Sequence, residues 1–180
     1  MTLLILGVAL WWAGHLFKRA APGLRAGMGD RGRGVVALVL LVSVVLMVLG
    51  YRGAGGAVYW GRSPALVGVN NLVMLASVYL FAAAGMKTAV ARRLRHPMLL
   101  GVLLWSAAHL LVNGDAASVV LFGGIGLWAL VEMAVIGRAD PWVPPRGKGP
   151  KMEIFAILGT VLVYGVLAGA HYLLGYPAFG

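Results

Sequence analysis

The 180-residue chain is 61% hydrophobic and only 11% charged, with a mean hydropathy of +0.91. Soluble domains carry about 25% charged residues, so a deficit spread along the whole chain indicates that lipid solvates most of the surface. The absence of cysteine excludes disulfides, thiolate catalysis and cysteine-ligated zinc or iron–sulfur centres. We predict a single all-α domain over residues 1–180, a polytopic membrane helical bundle.

Six apolar stretches are long enough, or nearly so, to cross about 30 Å of hydrocarbon as helices. They predict transmembrane helices at residues 2–17, 34–51, 64–86, 97–112, 116–137 and 152–174. The first and fourth are short for a span, and we expect them to extend into the interface. Turn-forming residues at 113–115 predict that the fourth and fifth helices form a tight antiparallel hairpin.

The basic residues are distributed unequally among the connections. The first, third and fifth connections hold all but two of the 15 lysines and arginines, and the exceptions, Arg52 and Arg62, lie in the second. Cytoplasmic loops carry the excess of Lys and Arg, which predicts a multi-pass membrane protein with both termini outside the cytoplasm. Basic residues on one membrane face, without a nucleic-acid motif, indicate topology signals and lipid contacts, so we expect no nucleic-acid partner.

Two glycine patterns indicate close helix packing. Gly165 and Gly169 have the GxxxG spacing, and Gly123, Gly124 and Gly126 interrupt the fifth span. Glycine is frequent in membrane helices in any case. Packing within the chain and association into a homo-oligomer therefore both stay open.

The candidates for chemistry are four histidines: His15, His96, His109 and His171. Ionisable groups within the membrane are costly and are functional candidates by default. The predicted orientation puts the first two near the cytoplasmic side and the last two in the outer half. Because histidine can stay neutral, a structural hydrogen-bonding role is the alternative for each.

Aromatic and polar residues accompany two of these histidines at helical spacing. Each set shares a helical face with its histidine: Trp11 and Trp12 with His15, and Trp105 and Asn113 with His109. Histidine beside flat aromatic surface on apolar helices is typical of haem sites, where imidazoles bind iron between the helices of a bundle. Tryptophans that merely pack the core or the membrane interface are the alternative.

The fourth predicted helix contains one specific block. It reads RHPMLL at residues 95–100, Trp105, AHLL at residues 108–111 and NGD at residues 113–115. This block resembles the signature of the NnrU family, and weaker matches at Gly14-His15, at residues 32–34 and at His171 extend the resemblance over essentially the whole chain. The resemblance implies a multi-helix inner-membrane protein associated with nitrite and nitric oxide reduction in denitrifying bacteria.

The family is related to the plant 15-cis-zeta-carotene isomerase, which uses haem b within the membrane. The resemblance implies haem b ligated by His15 and His109, with isomerase-like or redox activity on a hydrophobic small molecule or nitric oxide. Ser106 stands where that isomerase has a cysteine, so a ligand exchange through the cysteine is not available. Predicted depth favours other pairs, His109 with His171 or His15 with His96, since His15 and His109 differ by about 12 Å along the membrane normal.

Two other functions stay open. The Arg-His-Pro opening of the fourth helix is similar to membrane methyltransferases that bind S-adenosylmethionine, with Arg95, His96 and Glu132 as the equivalents, although a second acidic residue is missing. A non-enzymatic role, as an accessory or assembly factor bound to a respiratory nitrite or nitric oxide reductase, is the third hypothesis.

Overall fold

The computed structural model describes residues 1–179, which are almost entirely helical. The helices are α1 (Thr2–Ala20), α2 (Pro22–Gly27), α3 (Arg31–Arg52), α4 (Pro64–Met86), α5 (Ala89–Arg93), α6 (Pro97–Val112), α7 (Ala116–Ser118), α8 (Gly124–Ala139) and α9 (Pro150–Leu173). A π-helical turn, Val119–Gly123, joins α7 to α8 without a break. Two short strands, β1 (Val58–Trp60) and β2 (Gly114–Asp115), form one antiparallel pair.

Five helical segments are long and apolar enough to cross a membrane: α1, α3, α4, the continuous segment Ala116–Ala139, and α9. The prediction of an all-helical membrane protein is therefore confirmed. The fourth predicted span, α6, is apolar but has 16 residues, about 24 Å, less than the hydrocarbon thickness. It is short because Pro97 can only begin a helix and Asn113 leaves the helical backbone.

The main helices pack in the order α3, α1, α8, α6, α4, α9, so that α6 lies between α8 and α4. The predicted antiparallel pairing of α6 with the fifth span is present. The terminal helices of the row, α3 and α9, expose mostly apolar side chains over much of their length. These surfaces fit contact with membrane lipid.

Connections from distant parts of the sequence meet at what we call the basic end of the bundle. Arg19, at the end of α1, binds the carboxylate of Asp140 at 2.5 Å, and Arg95 donates to the main-chain oxygens of Ile136 and Asp140. The hydrogen bond from Arg19 holds the pKa of the exposed Asp140 carboxyl below its ordinary value. The first, third and fifth connections thus share one end.

The opposite end is closed by the strand pair. Val58 pairs with Asp115 and Trp60 with Gly114, so the turn between α6 and α7 also serves as a strand. The Trp60 indole donates to the main-chain oxygen of Leu110 at 2.7 Å. The second and fourth connections are therefore joined, which the turn-forming residues at 113–115 did not predict.

Glycines allow α1 and α3 to pack backbone against backbone. A Cβ built on Gly50 would lie 2.7 Å from Cα of Leu4, and one on Gly7 would lie 2.7 Å from the main-chain nitrogen of Met47. Real Cβ atoms essentially never come so close to backbone. Only glycine at these positions permits this helix separation.

The two predicted glycine patterns differ in whether they lie at helix contacts. A Cβ on Gly124 would meet Val8 at 2.8 Å and one on Gly126 would meet Ser106 at 3.0 Å, so both lie at helix contacts. Nothing in the described chain lies within 4 Å of a Cβ on Gly165 or Gly169. The GxxxG pair therefore contributes no packing within the chain, and its role in an oligomer stays a prediction.

Asp115 caps the segment that contains the π turn. Its carboxylate accepts hydrogen bonds from the Ser118 main-chain nitrogen at 2.9 Å and from the Ser118 hydroxyl at 2.6 Å. The Ser118 hydroxyl also bonds the Tyr51 hydroxyl at 2.8 Å, which ties the cap to α3. Partial burial opposes ionisation, but the hydrogen bonds from Ser118 prevail and hold the pKa of Asp115 below its ordinary value of 3.8.

We expect Asp115→Ala to lower the free energy of unfolding by about 1 kcal/mol at pH 7, the usual cost of removing an N-cap. Because the carboxyl pKa is lowered by folding, this stabilisation is complete above the unfolded pKa and is lost as pH falls through the folded one. Thermal unfolding in detergent at pH 7 and pH 3 measures both effects. Asp30→Ala is the control, since Asp30 makes no cap hydrogen bond; equal losses for the two variants would contradict the prediction.

Candidate functional site

The first group of candidate residues, the His15 cluster, consists of His15, Trp11 and Trp128. The His15 ring centroid lies 4.2 Å from that of Trp11 and 4.4 Å from that of Trp128. The two indoles meet edge to face at 5.3 Å. The cluster joins α1 to α8 in the best-packed part of the bundle, where Trp128 is 4% exposed.

The second group, the His109 cluster, consists of His109, Trp105, Phe122 and His171. The His109 ring stacks on Phe122 at 4.5 Å and lies 5.0 Å from the Trp105 ring. The His171 ring centroid, on α9, lies 6.4 Å from that of His109 on α6. Phe122 belongs to the π turn, an irregularity that is frequent at functional sites.

The two clusters occupy different layers of the bundle. Trp128 and Phe122, which contact the two histidines, are six residues apart on one continuous helix, about 9 Å along its axis. The structure thus places His15 and His109 in separate layers, as their predicted depths indicate. It brings His109 together with His171, and it shows no ring contact between His15 and His96 within residues 1–179.

Three of the four histidines make the same hydrogen bond. Nδ1 of His15, His109 and His171 lies 3.0, 2.9 and 2.7 Å from the main-chain oxygen of the residue four positions earlier. A carbonyl oxygen can only accept, so Nδ1 carries the proton and Nε2 keeps its lone pair. This is the tautomer that binds metals through Nε2, with the second nitrogen held by the backbone.

Several polar atoms around these clusters are buried without a hydrogen-bond partner in the described chain: Nε1 of Trp11, Oγ of Ser106 and Nε1 of Trp128. Each lost partner costs about 1–3 kcal/mol, so a water molecule or a ligand group is expected beside such atoms. They lie on α1, α6 and α8.

Two predicted site residues have structural partners instead. The Trp12 indole donates to the main-chain oxygen of Gly124 at 3.0 Å, which joins α1 to the start of α8. The Asn113 amide donates to the main-chain oxygen of His109 at 2.9 Å and closes the end of α6. A cofactor-binding role for them stays a prediction.

The residues of the methyltransferase hypothesis lie toward the basic end. Arg95 has a structural role, since it donates to the main-chain oxygens of Ile136, in α8, and of Asp140, which follows it. Nε2 of His96 and Oε2 of Glu132 are buried without partners in the described part of the chain. Burial and the neighbouring Arg95 charge lower the pKa of His96.

Sequence reasoning missed Phe122 and Trp128. Trp128 carries a signal that could have been used, because it is the single tryptophan of the fifth span. No local pattern marks Phe122, whose position depends on the π turn. Both residues contact a histidine from another helix, and such contacts are visible only in the folded bundle.

The donor set restricts which metal centre the bundle could hold. Within residues 1–179, no group of three or more His, Cys, Asp or Glu side chains comes together. A structural zinc site needs about four protein ligands, so that class does not fit. A porphyrin supplies four nitrogens of its own and needs one or two axial imidazoles, so the histidines present fit this group.

Comparison with protein-family models matches residues 3–178 to the family described as NnrU protein. Comparisons with curated proteins and with solved structures find no match. The match covers nearly the whole chain, including both histidine clusters and the RHPMLL block. This membrane protein belongs to the NnrU family.

Proposed function

We propose that this chain is a b-type haem protein of the membrane, with histidines of the bundle as axial ligands. The observation that carries the proposal is the shared state of His15, His109 and His171, whose Nδ1 atoms are all held by their own helices. Each presents an Nε2 lone pair in a largely apolar, aromatic setting. Three imidazoles in this state within one small bundle support a ligand role.

His109 is the central ligand of the proposal. It belongs to the pair implied by family resemblance, with His15, and its ring also lies 6.4 Å from that of His171. Its backbone hydrogen bond orients the ring, and the ring stacks on Phe122. Bound haem would supply one-electron redox chemistry.

The proposal includes six spans in a bacterial inner membrane, with the basic end in the cytoplasm. The unequal distribution of lysine and arginine supports this orientation. The meeting of the odd-numbered connections around Asp140 supports the alternation of helix directions. A role in nitrite or nitric oxide reduction, alone or with a reductase partner, is consistent with a haem at this position.

We expect the purified chain from haem-sufficient cells to show a Soret band and a b-type pyridine haemochrome, with about one haem per chain. Substitution His109→Ala should remove most of this haem, because the central axial ligand is lost. His96→Ala is the matched control and should retain it, since His96 belongs to neither cluster. Size-exclusion profiles and far-UV circular dichroism show whether each variant is folded. Haem absent from the wild type, or unaffected by any histidine substitution, would contradict the proposal.

One observation favours a second candidate, methyl transfer from S-adenosylmethionine at the basic end. The partnerless buried atoms of His96 and Glu132 would suit a polar ligand there. Arg95 is already used by the fold, which weakens this candidate. Calorimetry with S-adenosylmethionine separates the two functions, because the haem proposal predicts no binding heat.

A further inference from the structure

We propose that the seam between α4 and α9 binds one anionic phospholipid, with its phosphate at the basic end and an acyl chain lying along the two helices. The inference concerns a different part of the bundle from the two histidine clusters, and it does not depend on the haem function proposed above. The observation behind it is that two cavities, one basic and one apolar, follow one another along the same pair of helices.

The first cavity, which we call the basic cleft, lies at the basic end of the bundle and has a volume of about 290 Å³. It is lined by residues from the end of α4, from α5 and from the connection that leads into α9. Its charged side chains are three cations and one carboxylate, Lys87, Arg92, Lys148 and Glu153. Basic pockets between membrane helices at this level are typical binding sites for the phosphate groups of lipids.

The positive charge of the basic cleft is not neutralised within the described chain. The Glu153 carboxylate is already engaged, because the Ala89 main-chain nitrogen donates to its Oε1 at 2.6 Å. No carboxylate of residues 1–179 forms an ion pair with Lys87, Arg92 or Lys148. The cations therefore outnumber the carboxylate by two, and this excess favours an anionic ligand.

Two of the cations are held by features of the backbone. A Cβ built on Gly147 would lie 3.1 Å from a guanidinium nitrogen of Arg92, so the Arg92 side chain packs directly on the fifth connection. Lys87 ends α4 with a φ of 56°, in the left-handed region where glycine is the usual residue. A lysine is strained there, and binding of a ligand by its ammonium group would account for its presence.

The second cavity, which we call the apolar groove, has a volume of about 330 Å³. It is lined by side chains between Leu72 and Tyr79 on α4 and between Ile157 and Val161 on α9. The Thr160 hydroxyl donates to the Ala156 main-chain oxygen at 2.7 Å, so its polarity is satisfied within α9. The walls of the groove therefore present mainly hydrocarbon, which suits an acyl chain.

The two cavities have the relative positions of a headgroup and its chain. On α9, Glu153 of the cleft and Ile157 of the groove share a helical face and are about 6 Å apart along the axis. On α4, Lys87 lies about 22 Å from Leu72, at the far end of the groove. Half the thickness of a bilayer, including its headgroup region, is about 20–22 Å. A lipid with its phosphate in the cleft would thus extend its chain along the groove within one leaflet.

Charge complementarity favours a lipid over the other possible occupants of the seam. A second copy of this chain, related by a twofold axis along the membrane normal, would place its own basic cleft in the same leaflet, where the like charges repel. A soluble phosphate compound would fit the cleft but would leave the apolar groove unused. An anionic phospholipid matches both cavities.

The headgroup is tested by native mass spectrometry of the full chain, titrated in detergent with phosphatidylglycerol and with phosphatidylcholine of the same acyl chains. We expect phosphatidylglycerol to bind more tightly, with one lipid per chain. Lys87→Gly should weaken this binding about fivefold, the usual contribution of one basic residue near an anionic headgroup. Glycine relieves the strain at this position, so the weaker binding would not reflect misfolding. Arg31→Gln, which removes an equal charge at the start of α3, is the matched control and should bind as the wild type does.

The apolar groove is tested by Ala76→Trp, which fills it without changing the charge of the cleft. We expect this variant to bind phosphatidylglycerol at least about fivefold more weakly, because the acyl chain loses its place along the helices. Ala37→Trp makes the same change at an exposed position of α3 and should leave binding unaltered. Thermal unfolding in detergent shows whether both tryptophan variants are folded.

Three outcomes would overturn this inference. Equal binding of the two lipids would show that the cleft does not read the headgroup charge. Glycerol phosphate bound as tightly as phosphatidylglycerol would identify the cleft as a site for a soluble anion. A dimer that Ala76→Trp dissociates, in the absence of bound lipid, would assign the groove to a second copy of the chain. None of these outcomes affects the haem proposal, whose test is the Soret band.

Discussion

Replacing Gly50 with valine should destabilise the protein by about 3 kcal/mol or more, at the upper end of what overpacking costs. The new Cβ would lie 2.7 Å from Cα of Leu4, and backbone cannot move aside as a flexible side chain can. The helices α1 and α3 would have to separate, which loses contacts along both. Unfolding by heat or by SDS titration in mixed micelles measures the loss.

Gly159→Val is the matched control for this substitution. Gly159 lies within α9, and nothing in the described chain is within 4 Å of a Cβ built there. The same chemical change should alter stability by less than about 0.5 kcal/mol, as is usual for open surface positions. Similar losses in the two variants would show that valine disturbs these helices for a reason other than the α1–α3 contact.

The second large effect concerns Trp128. Trp128→Ala should cost about 3–5 kcal/mol, the range for truncating a buried tryptophan, because the side chain fills the space between α1 and α8. The substitution also removes the ring on which His15 packs, at 4.4 Å between centroids. Thermal unfolding in detergent gives the cost, and proton NMR of the His15 imidazole reports its loss of order.

Trp128→Phe distinguishes the contribution of the aromatic ring to stability from that of the indole N–H group. It keeps an aromatic ring and removes Nε1, which is buried without a partner in the described chain. The smaller ring leaves a cavity, and relief of the donor's desolvation cost offsets part of it, so we expect a smaller loss than for Trp128→Ala. If the phenylalanine variant were as damaged as Trp128→Ala, the indole nitrogen would have a partner, such as a bound ligand group.

The two histidine clusters show how much of a candidate site can be predicted from residue spacing within one helix. The helical spacing of Trp11 from His15 and of Trp105 from His109 predicts ring contacts within one helix, and both contacts are present. The partners from other helices, Trp128 and Phe122, have no such spacing to their histidines. Depth along the membrane, estimated from sequence, does anticipate that His109 lies nearer to His171 than to His15.

The length, hydropathy and charge of each segment can be read from the sequence by itself, because they do not depend on which other segments lie nearby. Long apolar stretches must form helices in lipid because every backbone polar group has to be satisfied within the segment. This predicted six spanning segments, of which five are long and apolar enough to cross a membrane in the structure, and the basic residues predicted which connections share an end. The NnrU family was identifiable in the same way, from the block at residues 95–115.

The tertiary structure alone decided which helices are neighbours. The spans are apolar on nearly all sides, so no amphipathic face indicates where α9 or α3 should pack. Contacts between small residues, such as Gly50 against Leu4, and the π turn that places Phe122 against His109 are set by shape complementarity between distant segments. That is why the sequence could sort the four histidines by depth into His109 with His171 and His15 with His96, while only the fold shows that the rings of His109 and His171 come together.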